Sequence, residues 1–71
     1  MSGKELSFTV FLINQLAAAW KMSTGRVYSI LCKGDILDGY IIPCYDTLHT
    51  LGSSYLIDDI TELAKERGEL L

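Results

Sequence analysis

The residues of this chain that could do chemistry crowd into one stretch, Cys44-Tyr45-Asp46-Thr47-Leu48-His49-Thr50, which holds the single histidine of the 71 residues. In a helix Asp46 stands three residues before His49, close enough for a carboxylate to orient an imidazole for proton transfer or metal binding. Tyr45, four residues before His49, would be its neighbour on the same face. A zinc site drawn from Cys44, Asp46 and His49 would still need a fourth ligand. Elsewhere the sequence has no HExxH, no glycine-rich phosphate loop and no nucleophile with an evident base. A histidine in the last turn of a helix also has a plain structural use, because it complements the C-terminal dipole. Tyrosine often shields the edge of a core. The stretch is therefore read as a surface feature, and the chain as not an enzyme. No metal, cofactor or small molecule is implied.

Helices must position these residues. Ser2 with Glu5 three residues later is a capping-box pattern, opening a helix that runs to about Lys21. Ser23 is the next expected N-cap, with Met22 and Val27 at hydrophobic-staple spacing, and the helix it opens covers Thr24 to Lys33. Gly34 is expected in the left-handed position that closes this helix. Asp35 would cap the next helical segment, and Asp38 would add negative charge to its first turn. Pro43 denies a hydrogen bond to the carbonyl of Gly39, so the segment from Ile36 to Leu51 is expected as two short helices or one kinked one. If helical, Cys44, Leu48 and Leu51 would face inward. The run Tyr40-Ile41-Ile42 looks strand-like but has no second strand to pair with. Gly52 should end that segment and Ser53 or Ser54 should cap a last helix from Tyr55 to Arg67. There Leu56, Ile57, Ile60, Leu63 and Ala64 share a stripe, and Gly68 stops the helix. The expected fold is all-α, a compact bundle of four to five short helices in one domain over residues 1–71.

The first helix sets the problem of association. Its uncharged run from Leu6 to Trp20 would be roughly 22 Å long, short of the ~30 Å hydrocarbon core of a bilayer. Apolar side chains nearly encircle it. Leu6, Val10, Ile13, Ala17 and Trp20 form one stripe, Phe8, Leu12, Leu16 and Ala19 another, and Phe11 with Ala18 a third side. Ser7, Asn14 and Gln15 mark a narrow polar edge. A helix apolar on most sides must be covered on most sides, which a chain this small does poorly alone. A protein partner, or a second copy in a homodimer, is the expected cover. Lys4 before the apolar run and Ala17-Ala18-Ala19 after it mimic a signal peptide, but Glu5 cancels the charge and Asn14-Gln15 interrupt the run. A cytoplasmic location without membrane insertion is expected.

Charge is divided along the chain. Residues 1–34 hold four basic residues to one acid, and residues 35–71 hold two to eight, giving balances of +3 and −6. The acidic half argues against nucleic-acid binding by this chain alone, which needs clustered Lys and Arg. The helix pair around Gly34 faintly resembles a helix-turn-helix, but Asp35 and Asp38 on the supposed reading helix would repel phosphate. Cys32 and Cys44 are too few for a disulfide scaffold and are expected as two buried thiols. Tyr28, Tyr40, Tyr45 and Tyr55 are spread over three helices, and tyrosine is enriched at protein interfaces.

Several segments together resemble a known family. Met22-Ser23-Thr24-Gly25-Arg26-Val27-Tyr28, Gly39-Tyr40-Ile41, the stretch from Cys44 to Gly52, Tyr55-Leu56-Ile57-Asp58-Asp59-Ile60 and Arg67-Gly68 are similar to the short bacterial proteins of domain of unknown function 3791. The most specific piece is Tyr-Asp-x-Leu-His-Thr followed by Gly52 and Tyr55. Pro43 and Gly39 depart from the pattern and argue against a continuous third helix. The resemblance implies a small helical fold with no assigned activity. It also implies genes often placed beside ADP-ribosyltransferase-like proteins, and so an antitoxin-like or accessory role. The combined expectation is a protein-interaction module whose contacts include Tyr45, Asp46, His49, Tyr55, Asp58, Asp59 and Glu62. The alternatives are a DNA-binding regulator acting within a complex, and last a small enzyme using Asp46 and His49.

Overall fold

Helix α1 (Gly3–Trp20) is the longest element of the computed structural model, which describes residues 3–70. The Ser2 half of the expected capping box lies outside them. Of the three apolar sides of α1, one becomes core, with Thr9, Leu12 and Leu16 buried. Threonine is tolerated there because its hydroxyl donates to the Glu5 carbonyl at 2.8 Å. α1 packs on α2 (Thr24–Lys33) and on α4 (Ser53–Glu66). Two neighbours cover only part of the helix, so the stripe expected from Leu6 to Trp20 is split: Ile13, Ala17 and Trp20 pack against the core, while Leu6 and Val10 stay outside. Ser23 caps α2 as expected, its hydroxyl accepting from the Arg26 amide at 3.2 Å. Met22 and Val27 both reach the core.

Between α2 and α4 the chain is broken as Pro43 requires. A π-helical turn (Leu37–Ile41) is followed by the short α3 (Tyr45–Leu48). The amides of Ile41 and Ile42 donate five residues back, to Ile36 and Leu37, at 2.8 and 3.0 Å. The wide turn thus ends just before the proline, which has no amide to continue the ladder. The turn brings Ile36, Leu37 and Ile41 into the core with Leu48, beside Val27, Ile30 and Leu31 of α2 and Leu56, Ile60 and Ala64 of α4. Leu51, expected inward, is exposed, because α3 stops at Leu48 and the chain turns away.

The three longer helices end alike, in six-to-one hydrogen bonds that define a Schellman motif. The amides of Met22, Ile36 and Glu69 donate to the carbonyls of Ala17, Leu31 and Ala64, at 3.1, 2.8 and 2.9 Å. The left-handed residues are Lys21 (φ 55°), Asp35 (φ 54°) and Gly68 (φ 76°). Gly68 is where the sequence placed it. Gly34 is not left-handed (φ −83°), and the expectation is corrected by one residue, to Asp35. Gly34 is instead closely packed: an added Cβ would lie 3.2 Å from Ile36 Cδ1 and 3.3 Å from Glu69 Cγ, tight enough that these side chains would have to shift. Two further expected caps move. Asp35 does not cap the π-helical turn, whose N-cap is Ile36 without a side-chain bond. α4 begins at Ser53, with Gly52 as its N-cap, so neither Ser53 nor Ser54 serves. The thiols are also corrected: Cys32 is exposed and Cys44 half-buried.

Candidate functional site

The Tyr45–His49 stretch folds as one helical turn, and it does bring its two rings together. They stack with centroids 4.6 Å apart and planes 11° from parallel. Phe8 of α1 meets the other side of Tyr45 edge-on, at 5.4 Å and 77°. The Asp46–His49 pair envisaged for proton transfer does not set the imidazole. Its Nδ1 lies 2.8 Å from the Tyr45 carbonyl, an acceptor only, so Nδ1–H is the donor and Nε2 is the basic nitrogen of the neutral ring. Both Asp46 and His49 are exposed. Among the described residues no group of three or more His, Cys, Asp or Glu could hold a metal ion.

The acidic helix divides into two kinds of residue. Asp58 and Glu62 are exposed, with Glu62 3.8 Å from Lys65. Asp59 is half-buried and accepts a short hydrogen bond from the Tyr40 hydroxyl. That bond, with partial burial, pushes the Tyr40 phenol up to about 12. Asp59 thereby ties α4 to the π-helical turn. Tyr55, at the head of α4, is exposed.

Among the described residues, three of the six exposed large hydrophobic side chains lie on α1. Leu6, Val10 and Phe11 are 54%, 50% and 44% exposed, and Ser7, Asn14 and Ala18 are exposed on the same side. Residues 6–20 carry no charge, so this outer face is uncharged along its length. On one flank Val10, Ile13 and Asn14 form an open groove with Tyr28 of α2. On the other, Phe8 and Phe11 form one with Tyr45, rimmed by Lys4. The Tyr45–His49 stack is thus the far edge of the same surface.

Three anchoring contacts escape sequence reasoning. Trp20 Nε1 donates to Thr61 Oγ1 at 2.9 Å, and Thr61 passes its own proton to the Ile57 carbonyl at 2.6 Å. Arg67 reaches back to the carbonyls at the end of α2, at 2.5 Å to Gly34 and 3.1 Å to Asp35. Separations of 41, 33 and 32 residues leave no local spacing to read. The one available signal was that a tryptophan ending an apolar helix needs an acceptor for its N–H.

The fold and this surface together define a small all-α domain with one long helix left uncovered on its outer side. The chain belongs to the family described as protein of unknown function (DUF3791), whose model matches residues 7–67. No curated protein and no solved structure matches it. Among the described residues no helix is long and apolar enough to cross a membrane.

Proposed function

We propose that this chain is a protein-interaction module that binds through the outer face of α1, in an antitoxin-like or accessory role. The observation that carries the reading is the exposure of Leu6, Val10 and Phe11 on a helix side without charge. Leaving such side chains in water costs about 25 cal/mol per Å² of apolar area, which a bound partner would recover. The Phe8–Tyr45–His49 edge extends the surface with rings of defined geometry, which favours specificity. Asp58 and Glu62 stand apart on α4 and would steer a basic partner rather than hold it. A cytoplasmic location goes with this reading. The partner to try first is an ADP-ribosyltransferase-like protein encoded beside the gene, as the family resemblance implies.

The test is a double substitution, Val10→Glu with Phe11→Glu. Both side chains are about half exposed, so helicity, and the unfolding midpoint at high dilution, should hold. Association with the neighbouring protein, or with a second copy, should be lost when measured by light scattering and titration calorimetry. Association of undiminished strength in the double variant would refute the assignment of the binding face. A wild-type chain that binds neither would refute the module.

A further inference from the structure

We infer that the groove between Arg26 and Lys33 on α2 receives an acidic segment of a partner protein, held by its carboxylates. The inference goes beyond the α1 reading and does not depend on it. Arg26, Ser29 and Lys33 stand three and four residues apart and so share one stripe of α2. With Ile30 and Glu69 they line a groove. Arg26 and Lys33 are exposed, and Ser29 is half-buried between them. Neither cation forms an ion pair with another described residue, and the Ser29 hydroxyl has no hydrogen-bond partner among them. The groove's one acid is Glu69. Its stem lies against Gly34 and its amide is held by the Ala64 carbonyl at 2.9 Å, and its carboxylate pairs with neither cation.

The fold does not account for this arrangement. Lys33, in the last turn of α2, complements the helix dipole. Arg26 lies in the first turn, where the dipole disfavours a cation, and no acid in that turn offsets it. An anion brought from outside would relieve both. The guanidinium is a planar fork that takes a carboxylate through two parallel hydrogen bonds, and the Lys33 ammonium adds a point charge. The Ser29 hydroxyl is free to donate between them. Seven residues separate Arg26 from Lys33, ~10 Å along the helix, which matches acids two turns apart on a partner helix. A nucleic acid fits less well. Its phosphates are continuous, and the eight acids of residues 35–71 would repel them. A short acidic segment places its charges on Arg26 and Lys33 alone.

The probe is a fluorescent alanine-rich helical peptide with two glutamates seven residues apart. A peptide of the same composition with adjacent glutamates, and a single-stranded oligonucleotide, form the other arms. Fluorescence anisotropy at low ionic strength should show weak binding of the spaced peptide, stronger than that of the other two and falling as salt rises. Arg26→Glu with Lys33→Glu should weaken it about tenfold or more, with helicity unchanged because both side chains are exposed. Glu69→Gln should strengthen it roughly threefold by removing the acid from the groove. Asp58→Asn, the same change of charge outside the groove, should leave it unaltered. Failure of the spaced peptide to bind, or undiminished binding by the double variant, would overturn the inference. Equal strengthening by Asp58→Asn would do the same, since net charge and not the groove would then govern binding. Tighter binding of the oligonucleotide would also overturn it and make the groove a phosphate site.

Discussion

At the scale of single residues, the Tyr40–Asp59 bond shows how one contact can serve the fold where its sequence suggested a binding role. Asp59 sits in an acidic run and reads as partner-facing, yet the Tyr40 hydroxyl donates to it across 19 residues. The phenol stands at about 12 in the folded chain, against 10.0 for a free one. A group whose folded value is raised adds stability that is complete below the unfolded value and disappears as pH climbs through the folded one. The contribution should therefore be full below pH 10 and vanish towards pH 12. Because Tyr40 is only half-buried, solvent screening reduces it to on the order of 1 kcal/mol. We expect Tyr40→Phe to lower the urea-derived stability by that amount at pH 8. The gap between the two proteins should close as pH approaches 12. A gap independent of pH in this range would mean that the hydroxyl acts through its packing rather than through the proton it donates to Asp59.

At the scale of elements, the limits of α2 and the core stripe of α4 were legible because both are local. Ser23 as a cap, and Leu56, Ile60 and Ala64 one turn apart, depend only on neighbours within a turn or two. Pro43 likewise announced the break before α3. What could not be read was which apolar side of α1 faces inward, since its stripes are similar and α2 and α4 decide the matter. The Tyr45–His49 neighbourhood followed from four-residue spacing, but the Phe8 ring against it comes from another helix. The helix ends taught something else. Three Schellman motifs recur, and only one holds glycine at its left-handed position, so a search for glycine finds one in three. Lys21, at φ 55°, is the least suited of the three, because a long side chain pays the left-handed penalty without the local hydrogen bonding open to Asp35. Lys21→Gly should stabilise the chain by roughly 0.5–1 kcal/mol, the relief of strain outweighing the extra unfolded-state entropy. A loss of stability in thermal unfolding would show that the Lys21 side chain is held by packing worth more than its strain.

For the whole molecule the governing fact is size. A chain of 71 residues buries only about 60% of its unfolded surface and has little stability in reserve. Here part of its apolar area, on Leu6, Val10 and Phe11, is not used by the monomer at all. If that area is covered by a second copy, folding and association are linked by mass action. Each tenfold rise in concentration then favours the folded dimer by ~1.4 kcal/mol, or ~0.7 kcal/mol per chain. For a domain of this length about 1 kcal/mol moves the melting temperature by roughly 4–8 °C. Above its dissociation constant the protein should therefore gain about 3–5 °C in Tm per tenfold increase in concentration. Val10→Glu should lose this dependence while melting, at high dilution, where the wild type melts, because the substituted side chain is half exposed in the monomer. A wild-type Tm that is flat with concentration would place the stabilising partner outside this chain.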